Sequence, residues 1–176
     1  MKIFLEKLAS RVSLSKEEME IAVGKLFAED ISDSEIAAFM ACLKTKGETA
    51  DEVAGIVEAF RKQSRTFSEG HSGVIDNCGT GGDGSQSFNI STTSAFVIAG
   101  AGIKVAKHGN RSVSSKTGSA DVLEELGAKL DLPPEKTDEM LEKNGIAFLF
   151  APYVHPRIKQ IMRVRKDLRI PTVFNL

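Results

Sequence analysis

The feature that most constrains the fold is a strand–loop–helix pattern that occurs twice within residues 74–127. In each copy a short apolar run of β type leads into a polar loop that contains glycine, and a helical run follows. The two β-type runs are residues 74–78 and 103–106. Backbone N–H groups at the start of a helix attract anions, and glycine lets the backbone approach a ligand closely. The pattern is typical of an α/β layer and indicates one anion-binding site built from both loops.

The first loop concentrates polar side chains at the mouth of one helix. A P-loop is excluded because no Gly-Lys-Ser/Thr follows at the required spacing, and the dinucleotide fingerprint does not match either. A glycine cluster alone can be a tight turn, and capping the helix needs one polar side chain, Ser87 or Asn89. The surplus can hydrogen-bond ribose hydroxyls, phosphate oxygens or the waters of a bound magnesium. The group consists of Asp83, Ser87, Asn89, Ser91 and Thr92.

The helix that follows, residues 90–101, is apolar nearly all round, which predicts that it is buried. A buried helix that begins with a cluster of hydroxyls needs a polar partner at that end, and a ligand fits this role better than bulk water does.

The second loop, residues 107–115, adds positive charge among four serines and an asparagine. Its basic side chains are Lys107, His108 and Arg111. A solvated basic loop and a second phosphate or pyrophosphate cradle are the two interpretations. His108 could also act as a general base, although its neighbours are of the types that bind phosphate. The next helix begins at residues 118–121, with Val122, Leu123 and Leu126 as its buried stripe and Gly127 as its stop.

Residues 1–66 form the first of two predicted domains and are helical throughout. Three capping boxes mark helix starts, and the apolar stripes behind them favour a core, with a dimerisation face as the alternative. The boxes are Ser15 with Glu18, Ser32 with Glu35, and Thr49 with Glu52. Residues 67–73 read as a linker, in which His71 is expected to be a solvated loop residue. Residues 74–176 form the second, α/β domain.

The rest of the α/β domain is predicted from apolar runs and glycine stops. A helix begins near Pro133 and Pro134 and ends at Asn144 and Gly145. Residues 146–150 are a continuous apolar run typical of a central parallel strand. The last six residues resemble a strand entering a further loop.

Arg165 is predicted to lie on the apolar face of the helix that follows residue 155. Its row also contains Ile158, Ile161, Met162 and Leu168. A buried arginine is costly unless it is paired, so either a protein carboxylate or a ligand anion should face it.

Composition excludes several classes of protein. The 176 residues are 41% hydrophobic and 27% charged, with a net charge of −1, which argues against a nucleic-acid binder. Two cysteines, Cys42 and Cys78, make no disulfide framework and suit the reducing cytoplasm. No apolar run reads as a signal peptide or reaches membrane-spanning length, so no membrane association is expected.

Four sequence runs carry a resemblance to a known family. Residues 76–84 read DNCGTGGDG, residues 87–92 read SFNIST, residues 107–127 read KHGNRSVSSKTGSADVLEELG, and residues 164–176 read VRKDLRIPTVFNL. In this order and spacing they resemble anthranilate phosphoribosyltransferase, the tryptophan-pathway enzyme. The helical opening is similar to that family's N-terminal domain, so the resemblance covers the whole chain. Family members are longer, and the chain looks like the N-terminal half of one.

The resemblance implies a fold class and an activity. The fold is an N-terminal helical domain followed by the first part of a mainly parallel α/β sheet domain, the nucleoside phosphorylase/phosphoribosyltransferase class with a helical domain. The activity transfers the phosphoribosyl group of phosphoribosyl pyrophosphate (PRPP) to the amine of anthranilate and releases pyrophosphate. Mg²⁺ is the implied cofactor, and a cytoplasmic homodimer formed through the helical domain is the implied assembly.

The resemblance also assigns residues. No protein nucleophile or catalytic residue is implied, because the amine attacks C1 of the ribose directly. Ser91 contributes to the magnesium site, whose acidic pair the resemblance places beyond Leu176. Asn110 and Arg165, with Gly79, face anthranilate. The full set of substrate-binding residues is Gly79, Gly82, Asp83, Ser87, Asn89, Ile90, Ser91, Thr92, Lys107, His108, Gly109, Asn110, Arg111, Ser112, Val113, Ser114, Ser115, Ser119 and Arg165.

One residue departs from the family's pattern, since Arg169 stands where the family commonly has glycine. Two alternative functions share the architecture. A pyrimidine-nucleoside phosphorylase would bind phosphate and ribose but release a base, and it differs in its loop sequences. A non-enzymatic nucleic-acid binder would lose affinity steeply with salt.

Overall fold

The computed structural model describes residues 1–65, 71–79, 88–112 and 117–175. The chain divides into two compact units. One comprises Met1–Ser64 together with His155–Leu176, and the other comprises Arg65–Val154. No helix within the described ranges combines the length and the apolar composition that crossing a membrane requires.

The first unit begins with four helices, as the sequence predicts. All three capping boxes are present, with the serine or threonine side chain accepting from the glutamate N–H and the glutamate carboxylate accepting in return. Gly47 ends the third helix with φ of 87°, a conformation that favours glycine. The helices are α1 (Lys2–Ala9), α2 (Lys16–Leu26), α3 (Asp33–Lys46) and α4 (Ala50–Gln63).

The core of this unit also takes in residues from the far end of the chain. Ile161, Val164 and Val173 are buried in the same apolar cluster as Met19 and Phe39. The predicted division, which gives residues 155–176 to the α/β domain, therefore differs from the packing. The segment contains α9 (Lys159–Leu168) and two 3-10 turns, Pro156–Ile158 and Val173–Asn175.

The predicted strand at the C-terminal end is wrong over its described residues. Val173–Asn175 is a 3-10 turn. Thr172 and Val173 are buried, and Val173 lies among helical side chains, where it has no sheet edge to pair with.

The second unit is built on parallel pairing. Strand β1 (Val105–Gly109) runs parallel to β2 (Ile146–Phe150), with Val105 opposite Ile146 and Gly109 opposite Phe150. On its other side β1 pairs with Ile75 through a single parallel bridge. Within the described residues β1 is thus the central element and β2 lies at the edge, which corrects the predicted central position of residues 146–150.

Two further strand predictions need adjustment. The run 74–78 makes one bridge instead of a strand, because the Asp76 carboxylate bonds the backbone of Cys78 and redirects the chain there. The second strand begins at Val105, not at residue 103, since the Gly102 turn with φ of 89° occupies the preceding residues.

Helices pack around this small sheet. Gly127 and Gly145 follow α6 and α7 with φ of 85° and 70°, which confirms their predicted role as helix stops. The helices are α5 (Ile90–Gly100), α6 (Ser119–Glu125), α7 (Pro134–Asn144) and the short α8 (Ala151–Val154).

The prediction that α5 is buried on all sides is wrong for the described residues. Its small side chains Thr92 and Ala95 are buried, because the helix packs on β1 through this face. Phe96 and Val97 on the other face are 52% and 68% exposed. Leu126 is also exposed, because α6 has already ended when the chain reaches it.

His71 is not the solvated loop residue that the sequence predicts. Its Nε2 lies 3.2 Å from Asp138 Oδ1, and its Nδ1 lies 3.0 Å from Glu142 Oε1. Glu142 also accepts from Lys104, with Nζ 2.6 Å from its Oε2. The histidine therefore anchors the start of the α/β unit to α7.

Candidate functional site

The polar residues that follow Ile75 tie the site together at the carboxyl ends of the strands. Asp76 Oδ1 accepts hydrogen bonds from the backbone N–H of Cys78, at 2.9 Å, and of His108, at 3.1 Å. One carboxylate thus joins Cys78, just before Gly79, to His108 on β1. Sequence reasoning missed this role, although an acid placed directly after an apolar β run is a signal for it.

Asn77 fixes the first turn of α5 beside the glycine loop. Its Nδ2 donates to the Ser91 carbonyl at 2.8 Å and to Ser94 Oγ at 3.0 Å. A Cβ added to Gly79 would lie 3.7 Å from Ser91 Oγ, so Gly79 and Ser91 are neighbours, as predicted residues of one site should be. The sequence offers Ser87 or Asn89 as the side chain that caps α5. Asn89 occupies the N-cap position, but its side chain makes no capping hydrogen bond.

Two polar atoms at this end of α5 have no protein partner within the described residues. Thr92 is only 4% exposed, and its Oγ1 makes no hydrogen bond; Asn77 Oδ1 is in the same situation. An unsatisfied buried polar group costs about 1–3 kcal/mol. The geometry therefore leaves acceptors and donors ready for a polar ligand at the predicted place.

Lys107 lies on β1, which corrects the predicted start of the second loop at residue 107. It is 3% exposed, and its Nζ lies 3.4 Å from the His108 carbonyl oxygen. No carboxylate among the described residues forms an ion pair with it. Burying an unpaired ammonium is expensive, so this side chain is suited to receive an anion.

Burial also shifts the pKa values of His108 and Cys78, which lie near Lys107. Burial lowers the pKa of His108, the Asp76 carboxylate acts in the opposite direction, and Lys107 lowers it further. Burial raises the pKa of the Cys78 thiol, Asp76 raises it more, and Lys107 opposes them. Near neutral pH His108 is therefore a neutral hydrogen-bonding group, which suits an uncharged part of a ligand better than a phosphate.

Two predicted residues of the second loop, Gly109 and Arg111, are engaged with the protein itself. Gly109 packs so closely on Ser119 and Phe148 that a Cβ could not be accommodated without movement. Arg111 does not present a free guanidinium: its Nε and Nη2 bond the two carboxylate oxygens of Glu124, at 3.0 and 2.5 Å. Its pKa is raised by that hydrogen bond and charge.

Arg165 lies on α9, in the helical unit, whereas the other described site residues belong to the α/β unit. It is half-buried on the apolar side of the helix, and its Nη1 lies 3.1 Å from Met162 Sδ. Burial lowers its pKa. Of the two partners that the sequence leaves open, a protein carboxylate is not found among the described residues.

Some predicted site residues lie outside the described part of the chain. They are Gly82, Asp83, Ser87, Val113, Ser114 and Ser115. Ile90 is exposed at the start of α5, and Ser112 and Asn110 are half-buried on the approach to α6.

Magnesium fits the described residues only as an ion brought with a phosphorylated ligand. Ser91 offers one hydroxyl oxygen beside Gly79, and no cluster of three metal-binding side chains occurs in the described ranges. Mg²⁺ is usually bound through one or two carboxylates, with substrate phosphates and waters completing the octahedron. Ser91 would supply one neutral oxygen of that set.

Comparison with protein families gives two adjacent matches. Residues 2–64 match the profile described as "Glycosyl transferase family, helical bundle domain". Residues 71–176 match the profile described as "Glycosyl transferase family, a/b domain".

Relatives with curated names share more than half of their aligned residues with this chain. An anthranilate phosphoribosyltransferase from Exiguobacterium sibiricum is 65% identical over 176 residues, which is 100% of this chain and 52% of the relative. One from Bacillus cereus (strain B4264) is 59% identical over 173 residues, 98% of this chain and 51% of the relative. The chain thus spans about half the length of the curated relatives it matches.

Solved structures agree in fold. Anthranilate phosphoribosyltransferase from Thermus thermophilus superposes with a TM-score of 0.91 at 39% identity, covering 98% of this chain and 52% of that one. The Saccharomyces cerevisiae enzyme in complex with PRPP and Mg gives 0.88 at 28% identity, covering 99% and 52%. With both domain profiles matched in order, this chain belongs to the glycosyl transferase family that joins a helical bundle domain to an a/b domain.

Proposed function

We propose that this chain supplies the PRPP-binding part and one wall of the anthranilate site of an anthranilate phosphoribosyltransferase. The observation that carries the proposal is the buried ammonium of Lys107, which lacks a carboxylate partner among the described residues. Diphosphate supplies the missing negative charge. The names of the relatives and the PRPP and Mg of the yeast complex support this choice over other anions.

The described residues divide the work of binding. Lys107 holds the phosphate charge, and the first turn of α5, with Ser91 and Thr92, offers hydroxyls to the ribose and the diphosphate. Asp76 and Asn77 keep the two loops in place. Arg165 pairs with the anthranilate carboxylate, because its planar fork matches that group.

The reaction then needs positioning more than proton transfer. The anthranilate amine is a neutral nucleophile, and it forms a bond to C1 of the ribose as the bond from C1 to pyrophosphate breaks. Mg²⁺ carried by the diphosphate would neutralise the leaving charge. Lys107, which is 3% exposed, adds a fixed positive charge that stabilises the leaving group. The amine proton is left to solvent, since no described residue is assigned as a base.

The experiment compares Lys107→Met with the unmodified protein. Because the chain spans about half of its relatives, turnover is measured on a fusion to the second half of the Exiguobacterium sibiricum relative. The KM for PRPP should rise about 10- to 150-fold, the value of a lost charge-assisted contact, while that for anthranilate changes little. Methionine keeps the volume, so the variant should melt at the same temperature or higher.

The control is Lys129→Met, which removes an exposed lysine. Neither KM should change in this variant. Equal rises in both KM values for Lys107→Met, or a fall in melting temperature without a change in the KM for PRPP, would contradict the proposal.

A further inference from the structure

Helix α6 holds residues 110–112 of the predicted second loop. The Asn110 carbonyl accepts from Ala120 N at 3.2 Å and from Ser119 Oγ at 3.3 Å. The next residue, Arg111, is clamped by Glu124 on the same helix. Two consecutive residues are therefore attached to α6 before the predicted phosphate-binding serines begin.

Asp121 attaches the third consecutive residue. Its Oδ2 accepts from Ser112 N at 3.0 Å and also from Gly118 N at 2.7 Å. The carboxylate thus joins the backbone at residue 112 to the backbone at residue 118. A Cβ on Gly118 would lie 2.6 Å from the Asn110 carbonyl oxygen, so the two chain segments touch at this point.

Helix capping explains only half of this arrangement. An acid three residues after the N-cap commonly accepts from the N-cap N–H, and the bond from Gly118 is of that kind. The bond from Ser112 reaches across nine residues and caps nothing. A residue that only stabilised α6 would not need it.

We propose that Asp121 is a positioning residue for phosphate binding, acting by holding Ser112 and Gly118 together. The inference rests on the proposed function. Both hydrogen bonds of the Asp121 Oδ2 come from protein N–H groups, so Asp121 acts through the backbone that it holds. Ser112 is itself a predicted substrate-binding residue, so fixing its backbone in advance favours PRPP binding and leaves anthranilate binding untouched.

The charge state of the clamp is set by its own bonds. The N–H groups of Ser112 and Gly118 lower the pKa of Asp121, outweighing the effect of burial, and Arg111 adds to them. The carboxylate is therefore ionised at neutral pH, where its bonds to the two N–H groups are charge-assisted and stronger than neutral ones.

Two variants disturb the clamp by unrelated means. Asp121→Ala removes the acceptor, and Gly118→Ala pushes the two segments apart while Asp121 stays. In the fusion protein each should raise the KM for PRPP at least 10-fold and change that for anthranilate less than 2-fold. Asp121→Asn keeps an oxygen but loses the charge, so its KM should fall between those of the unmodified protein and Asp121→Ala.

The matched control is Glu125→Gln, an exposed acid at the end of the same helix. This variant should keep both KM values within 2-fold of those of the unmodified fusion protein. An unchanged KM for PRPP in Asp121→Ala, or parallel rises for both substrates, would overturn the inference and leave a helix cap only.

Amide exchange on the 176-residue chain tests the clamp without turnover. The Ser112 and Gly118 amides should exchange at least 10-fold faster in Asp121→Ala, while amides of α2 and α3 keep their rates. If the Ser112 and Gly118 amides exchanged at the same rates in Asp121→Ala as in the unmodified chain, the inference would also be overturned. Failure of the proposed function looks different, because the unmodified fusion would then form no product whatever residue occupies position 121.

Discussion

At the scale of single residues, two of the proposed substrate-binding cations lack a protein partner. Lys107 is buried and Arg165 is half-buried, and neither forms an ion pair with a carboxylate among the described residues. Other basic residues of the chain, such as Arg163 and Arg111, pair with acids nearby. The contrast separates the two cations proposed to bind substrates from cations that pair with the protein's own acids.

Arg165→Ala tests the acceptor side of the site. In the fusion protein the KM for anthranilate should rise while the KM for PRPP stays nearly constant. A charge-assisted pair contributes about 1.5–3 kcal/mol, so kcat/KM should fall by about 10- to 150-fold. Steady-state kinetics with each substrate varied in turn gives both values.

Arg163→Ala is the control for that measurement. Arg163 lies on the same helix but is exposed and bonds Asp33, with Nη2 2.6 Å from Oδ1. Because exposed ion pairs contribute little, its loss should change neither KM and should barely move the melting temperature. If Arg165→Ala lowered the melting temperature and left the anthranilate KM unchanged, Arg165 would be structural.

At the scale of elements, the three capping boxes differ in how deeply their glutamates are buried, and so in how much each should contribute to stability. The glutamates of the first two capping boxes, Glu18 and Glu35, bond their serines at or near the surface. Glu52 is fully buried: its Oε1 accepts from Leu14 N at 2.9 Å, and its Oε2 accepts from Lys46 Nζ at 2.7 Å. Burial alone would raise the pKa of Glu52, but these hydrogen bonds outweigh it and lower the pKa.

Glu52→Gln should therefore destabilise the chain by about 3–5 kcal/mol at pH 7, because it leaves the Lys46 charge buried without its partner. Glu35→Gln, which alters an exposed box, should destabilise it far less, because water can replace the lost contact. Urea denaturation monitored by circular dichroism gives the free energy of unfolding for both variants. Similar losses for the two variants would mean that the buried pair adds nothing to the cap.

The pH dependence of that difference follows from the sign of the shift. The folded pKa of Glu52 lies below its unfolded value, which is about 4.3. Its contribution is complete above the unfolded pKa and is lost as the pH falls through the folded pKa. The difference in the free energy of unfolding between the unmodified chain and Glu52→Gln should therefore become smaller when the denaturation is repeated in acid.

Arg169 ends α9 in a conformation that favours glycine. Its φ of 52° and ψ of 26° are left-handed, and the side chain is exposed. Arg169→Gly should remove about 1 kcal/mol of strain, offset in part by the greater freedom of glycine in the unfolded chain. We expect a melting temperature about 1–2 °C higher, near the effect of about 0.5 kcal/mol in a chain of this size.

The control places the same substitution where φ is ordinary. Lys166→Gly, in the interior of the same helix and equally exposed, should lower the melting temperature because glycine is a poor helix former. A lower melting temperature for both variants would show that Arg169 carries contacts that outweigh its strain.

At the scale of the whole molecule, the helical unit retains apolar side chains on its surface. Ile3, Ile21 and Val57 are all more than 40% exposed. We expect the chain to self-associate through this surface. Light scattering at micromolar concentration should give a mass above 19.0 kDa, and Ile21→Lys with Val57→Lys should return it to that value.

The control for self-association is Val97→Lys, an apolar position on α5 in the other unit that is more exposed than Ile21 and Val57. It should not change the mass. A monodisperse monomer in the unmodified chain would contradict the expectation, and a monomer only after Val97→Lys would assign the contact to α5.

Local signals in the sequence predicted the local structure well. The capping boxes, the stop at Gly145 and the strand 146–150 are specified by neighbouring residues, and each is confirmed. What depends on distant partners was not predictable. The sequence could not show that Glu52 meets Lys46 in a buried pair, or that His71 meets two acids of α7, because those contacts depend on how the elements pack.

The site shows the same division. The glycines and hydroxyls of the two loops were predicted from their concentration, and Gly79 and Ser91 do lie side by side. The supporting side chains Asp76, Asn77 and Asp121 escaped notice, because each works through a backbone group that sequence spacing does not reveal.

The discontinuous helical unit has a consequence for the order of folding. Gln160 Nε2 donates to the carbonyls of Leu26 and Ala28, which lie more than 130 positions earlier. During synthesis the first 64 residues leave the ribosome long before α9, and must wait with part of their apolar core uncovered. Closing so long a loop slows the final step. Until α9 packs, the nascent helical bundle therefore presents apolar surface to chaperones and to aggregation.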